Sequence, residues 1–150
     1  MKIAIGADSA GVSMKGAIVA HLKDRGFEVV DCGTNSTESC HYPVFAYSVA
    51  KKVSDKEVDF GILVCGTGIG MSIAANKVEG IRASVVSEHF SARYTRLHND
   101  ANVLCLGARV IGEGLAIELV DTFLDTPAEG GRHAVRVNMI TEIENKTFKA

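Results

Sequence analysis

Closely spaced cysteines are missing from this 150-residue chain. Its four cysteines stand at 32, 40, 65 and 105, with no CxxC among them. That excludes a zinc ribbon, a thioredoxin-type motif and a secreted disulfide framework, which all need tighter spacing. A basic excess is missing too. The net charge is -2, whereas proteins that live on duplex DNA or anionic membranes are usually basic. No apolar run approaches the roughly 18 residues of a membrane span. The first six residues, MKIAIG, are too short an apolar stretch for a signal peptide. These absences predict a cytoplasmic protein with reduced thiols and neither nucleic acid nor membrane among its partners. No repeat, linker or low-complexity segment divides the chain. Hydrophobic residues make up 47% and charged residues 23%, which excludes disorder and a collagen-like structure. The length suits one domain over residues 1–150.

What is present is a short apolar run followed by a helical period, several times over. Lys2–Gly6, Phe27–Asp31, Val58–Cys65, Arg82–Val86 and Asn102–Leu106 read as strands. Between them, Met14, Ala17, Ile18, His21 and Leu22 recur at helical spacing, and Gly26 stops that helix. Pro43 suits a first helical turn, with Phe45, Val49 and Val53 along one face. Met71–Lys77 reads as a largely buried helix, His89–Leu97 as another, and Glu113–Leu124 as a third. Val135, Met139 and Ile143 mark a terminal helix. Five strands alternating with helices predict an α/β fold with a mostly parallel sheet. In such sheets ligands sit beyond the carboxyl ends of the strands.

Four segments could carry chemistry. In Cys65-Gly66-Thr67-Gly68-Ile69-Gly70 a cysteine ends a buried strand and glycines let the backbone turn its N–H groups into one cavity. Such a place favours thiolate and suits an oxyanion; the plain alternative is a buried cysteine beside a structural turn. A dinucleotide fingerprint would need glycine where Met71 stands, a Walker A motif would need Gly-Lys-Ser/Thr, and a cysteine-phosphatase cradle would want arginine in place of Met71. After the first strand, Asp8 could orient sugar hydroxyls, or could simply cap the next helix. Before the fifth strand, His98 and Asn99 sit in a polar stretch, RLHND, read as a loop, where a histidine can move protons near neutral pH. Finally, Arg132 and Arg136 lie four apart at a helix N-terminus, where like charges and positive charge are both disfavoured. A bound anion would turn that conflict into a site, and Arg109 could add a third contact. Nowhere does the sequence show metal-ligand spacing.

Taken together, GILVCGTGIGMSIAANK (61–77), GIRA (80–83), RLHNDANVL (96–104), GARVIG (107–112) and EGGRHAVRV (129–137) resemble the type B ribose-5-phosphate isomerases. The wider family includes galactose- and allose-6-phosphate isomerases. The resemblance covers nearly the whole chain. It implies a Rossmann-like three-layer α/β/α sandwich and an aldose–ketose isomerisation with no metal or cofactor. It implies Cys65 as the base, and Thr67 with the amides of Gly66, Gly68, Ile69 and Gly70 as the anion hole. His98 would open the sugar ring, Asn99 and Asp8 would contact substrate, and Arg109, Arg132 and Arg136 would hold its phosphate. Sites in the family span a dimer interface, so a homodimer or tetramer is implied, with some arginines from the partner. One departure stands out: Ser9 follows Asp8 where the family usually has histidine. A branch acting on four-carbon erythrulose phosphates resembles this chain in Asp-Ser-Ala-Gly here. The readings are therefore a pentose-phosphate isomerase, a tetrulose-phosphate isomerase, and a non-catalytic sugar-phosphate sensor on the same fold.

Overall fold

The computed structural model describes residues 1–150. Five strands, β1 (Lys2–Ala7), β2 (Glu28–Asp31), β3 (Phe60–Cys65), β4 (Ala83–Val85) and β5 (Val103–Gly107), form one sheet in the order β2-β1-β3-β5-β4. Every strand pair is parallel. The order reverses between β1 and β3, which register Ala7 against Val64. That switch point opens a crevice at the carboxyl ends of both strands.

Helices cover both faces. α1 (Val12–Asp24), α4 (His89–Asn99) and α5 (Glu113–Asp125) bury Ile18, Leu22, Ala92, Leu119 and Phe123 against one face. α2 (Tyr42–Ser54) and α3 (Ile69–Ala75) bury Val49, Val53, Met71 and Ala75 against the other. The expected three-layer sandwich is what forms. Near-continuous apolar strands follow from it: residues 61–65 and 103–107 are buried throughout because both sheet faces are covered.

Some expectations need correction. The helix read as Met71–Lys77 begins at Ile69 and ends at Ala75, so Gly70 lies inside it; Ile73 is exposed, so that helix is buried on one side only. His21 is half-buried rather than in the core, because Asp121 on α5 draws its ring outward at 2.7 Å. The terminal helix α6 (Arg132–Glu144) exists, but its apolar residues are left uncovered: Val135, Met139, Ile140 and Ile143 are all exposed.

Two contacts shape the crevice. Lys15 on α1 is buried, and its ammonium donates to both Asp31 oxygens (2.9 and 2.7 Å) and to Asn35 Oδ1 (2.8 Å). All three of its donors are used, and they pin the loop after β2 beside the end of β1. A single 3-10 turn, Ser9–Gly11, then leans on β3: a Cβ on Gly11 would stand 2.6 Å from the Val64 carbonyl oxygen. Gly11→Ala is therefore expected to lower stability by about 1–3 kcal/mol. Gly16→Ala, whose Cβ would meet nothing, is expected to raise it by about 0.4–1 kcal/mol. Thermal unfolding of the two variants checks both signs.

Candidate functional site

The first cluster lies at the switch point. Cys65 closes β3 and is 5% exposed. The chain turns sharply after it, and Gly68 at φ +78° occupies a conformation that suits glycine. That turn aims the Gly68 N–H at Cys65 Sγ, 3.1 Å away. This amide contact holds the sulfur in place at the end of the strand. Thr67 is exposed, and its Oγ1 accepts from the Ile69 N–H at 3.3 Å, which leaves the hydroxyl proton free to donate outward. Gly68 packs so tightly that a Cβ would stand 3.1 Å from the Leu106 carbonyl carbon.

Around this loop stand three of the expected residues. Asp8 donates its backbone N–H to the Val64 carbonyl (3.2 Å), and its Oδ1 accepts from the Ala10 N–H (3.0 Å). The capping reading of Asp8 therefore holds, for the 3-10 turn that carries Ser9. Arg109 donates its backbone N–H to the Gly66 carbonyl at 3.0 Å. Its guanidinium Nη1 stands 3.5 Å from where a Gly66 Cβ would be, so the Arg109 side chain lies over this glycine at ordinary contact distance. Tyr42 was not foreseen. Its ring lies over Gly70, 2.8 Å from a hypothetical Cβ there, and it forms one wall of the loop.

Cys105 sits on β5 beside β3 and is fully buried. Burial, with the neighbouring Cys65 charge, pushes its thiol far up, so it stays protonated. The four cysteines are all free.

The second cluster lies elsewhere. His98 and Asn99 are not in a loop; they form the last turn of α4. That turn lies under the amino ends of the strands. Arg82, just before β4, donates through Nε to the Asn99 carbonyl (3.0 Å), and the Gly61 N–H at the start of β3 donates to the Asn102 carbonyl (3.0 Å). Cys65 and Gly107 are register partners four residues further along, about 13 Å away at the rise of a strand. Arg132 and Arg136, both exposed, open α6 as expected and accompany His98. The Glu129 N–H donates to the Leu97 carbonyl at 3.0 Å, which fixes the α6 entry against α4. One chain thus carries two clusters at opposite ends of its sheet, and only the first obeys the carboxyl-end rule.

His98, Glu129 and His133 gather in this second cluster with ligand atoms within 4.8 Å of one another. Sequence spacing did not show this trio, because His98 comes from a different helix. Their geometry does not suit one ion. The two rings are stacked 5° from parallel, so their in-plane lone pairs run side by side instead of converging.

The comparisons agree with the geometry. The sequence model of the Ribose/Galactose Isomerase family matches residues 3–140. Ribose-5-phosphate isomerase B of Escherichia coli (strain K12) is 55% identical over 145 residues, covering 97% of each chain. The D-erythrulose-4-phosphate isomerase of Pectobacterium atrosepticum is 45% identical over 147 residues, again 97% of each. The solved structure of Clostridium thermocellum ribose-5-phosphate isomerase B superposes with a TM-score of 0.96 at 54% identity, covering 97% of this chain and 99% of that one.

The Gly68–Cys65 contact can be tested without substrate. Gly68→Ala forces an alanine into positive φ and disturbs the Sγ contact. Losing one hydrogen bond to a charged group is worth roughly 1.5–3 kcal/mol. Iodoacetamide labelling of Cys65 at neutral pH, followed by mass spectrometry, should slow by about tenfold or more. Cys105 should stay unlabelled in both proteins.

Proposed function

The chain belongs to the ribose/galactose isomerase family, and from that premise we propose that it interconverts ribose 5-phosphate and ribulose 5-phosphate, with the work divided between its two half-sites. It is an aldose–ketose isomerase of sugar phosphates. Residues 1–150 act as one domain, and the reading invokes neither metal nor cofactor. The observation that carries it is the Cys65 sulfur held under the Gly68 amide at the mouth of the crevice.

The chemistry follows from that placement. In the open-chain aldose, the Cys65 thiolate takes the C2 proton. The electron pair forms the C1–C2 double bond, and negative charge moves onto O1. The Thr67 hydroxyl and the amides of Gly66 and Gly70 face that oxygen, while the Gly68 N–H is held by Cys65 Sγ and the Ile69 N–H by Thr67 Oγ1. In comparable sites one such donor is worth about 2.7–4 kcal/mol. Returning the proton to C1 and passing the O2 proton to O1 completes the ketose. Asp8 and Ser9 contact the sugar, and Arg109 reaches over Gly66 toward the phosphate.

Before that, the furanose must open. His98 takes the proton of the anomeric O1–H as C1–O4 breaks, and O4 gains a proton. Asn99 contacts the sugar, and Arg132 and Arg136 hold the phosphate. These residues cannot reach Cys65 within one chain, so a second copy supplies them. The exposed Ile69 and Ile73 on α3, Val44 and Tyr47 on α2, and Val135, Met139, Ile140 and Ile143 on α6 offer the apolar surface that a homodimer would bury. No helix is long and apolar enough to cross a membrane. With four free thiols, the reading places the protein in the cytoplasm.

Ser9 supports a second reading, in which the substrate is erythrulose 4-phosphate. Serine at this position is shorter than the histidine usual in the family. A tetrose phosphate cannot close a ring through its phosphorylated terminal oxygen, so it needs no ring opening. A non-catalytic sensor leaves the Gly68–Cys65 contact without a role.

NMR of ribose 5-phosphate and erythrulose 4-phosphate incubated with the protein separates the readings. Conversion of the pentose with the higher kcat/KM is expected; faster tetrulose turnover would favour the second reading. Cys65→Ala should keep the fold and lose about 10²–10⁴-fold in turnover, and near-normal activity would overturn the mechanism. Subunit sharing has its own test. Cys65→Ala and Arg136→Ala proteins, each inactive, should regain activity after exchange to about a quarter of wild type, because half the dimers are hybrids with one intact site of two.

A further inference from the structure

The first turn of α6 and the last turn of α4 build a stack that the mechanism above uses only in part. The His98 and His133 rings lie face to face, 3.9 Å between centroids and 5° from parallel. Tyr94, one turn earlier on α4, meets His98 edge-on at 4.8 Å. Glu129 Oε2 stands 3.7 Å from His98 Nε2 and 3.6 Å from His133 Nε2. The Arg132 Nε–H points at His133 Nε2 from 3.4 Å. His133 is 5% exposed, whereas His98 opens onto a groove lined by Ser84, Phe90 and Tyr94.

Two imidazolium rings face to face at this distance repel each other in a half-dry setting, so the stack holds one positive charge at most. The surroundings decide which ring takes it. His133 is buried, accepts from Arg132 through the nitrogen that protonation would fill, and shares its helix with Arg132 and Arg136. Burial first, then the charges of His98 and the two arginines, hold its pKa below the ordinary histidine value, against the opposing pull of Glu129. His98 has solvent on one side and the Glu129 carboxylate on another. The remaining charged group near it, Asp100, is already taken by Arg96 and Arg82. β4 presents Ser84 and Val85, neither of which titrates.

We propose that His133 and Glu129 are positioning residues for ring opening: His133 is a platform that fixes the plane of the His98 ring, and Glu129 is the carboxylate that bridges the two rings and holds them in register. The proposal deepens the reading of His98 as the ring-opening group and rests on it. It assigns work to EGGRH (129–133) beyond the phosphate contact of its arginine.

The test combines a titration that needs no turnover with a kinetic comparison. Ring NMR signals of His98 and His133 are followed against pH in wild type, Glu129→Gln, His133→Asn and His133→Phe. In wild type, His133 should stay neutral to lower pH than a free histidine. In Glu129→Gln, which removes the carboxylate charge at constant shape, the His133 titration should move further down, because Glu129 is the group that pulls it up. His133→Asn, which removes the platform, should lower kcat/KM for ribose 5-phosphate by about tenfold, with less effect on open-chain ribulose 5-phosphate. His133→Phe, which restores a stacked plane, should recover most of that loss. A His133 titration unmoved in Glu129→Gln would overturn the proposal, as would an equal loss on both substrates in His133→Asn that phenylalanine does not recover. If the titrations move as expected but His98→Ala harms both substrates alike, the stack stands and the ring-opening assignment beneath it falls.

Discussion

In an all-parallel sheet every strand runs one way and every covering helix runs back. A residue that ends a strand and a residue that ends a helix therefore lie at opposite edges of the sheet. Cys65 ends β3 and His98 sits in the last turn of α4. No loop rearrangement within this fold brings them together. The uncovered apolar residues of α6 and α3, the outward-facing Arg132 and Arg136, and the incomplete crevice at the switch point all make sense once that constraint is granted. On the proposed reading, the chain is folded as two halves of a site facing away from each other.

In the half that holds Cys65, backbone geometry does most of the positioning. Gly68 takes positive φ and points its amide at Cys65, while Gly70 leaves room for the Tyr42 ring. A side chain at Gly70 would collide with that ring. The other half is built differently, from stacked rings and a bridging carboxylate at a helix–helix contact. His98, Glu129 and the two arginines stand in more solvent than Cys65. On the proposed reading, proton transfer at carbon falls to the amide-lined pocket and proton transfer at oxygen to this more open cluster.

Much of this was legible in the sequence. Unbroken apolar runs such as GILVC revealed the doubly covered strands, and the glycines after Cys65 revealed the turn. The four segments read as chemical fall into the two clusters, Asp8 and Cys65–Gly70 in one and His98, Asn99, Arg132 and Arg136 in the other. Four things escaped. The start of α3 was misplaced because Gly66–Gly70 reads as turn by composition, although its last two residues already bond as helix. His98 was read as loop because the polar RLHND hides a helical turn held by contacts to Arg82. The trio of Glu129, His133 and His98 was invisible because no sequence spacing connects α4 to α6. Tyr42 was passed over for a similar reason: its partner, Gly70, lies one crossover away.

The central claim is that one chain cannot complete the site alone. Specific activity measured alongside analytical ultracentrifugation, over a dilution series of the wild type and of Met139→Asp, tests it most directly. The account predicts that activity per chain falls with the dimer fraction and that a monomeric species is inactive on ribose 5-phosphate while still binding iodoacetamide at Cys65. A monomer with full specific activity would contradict it.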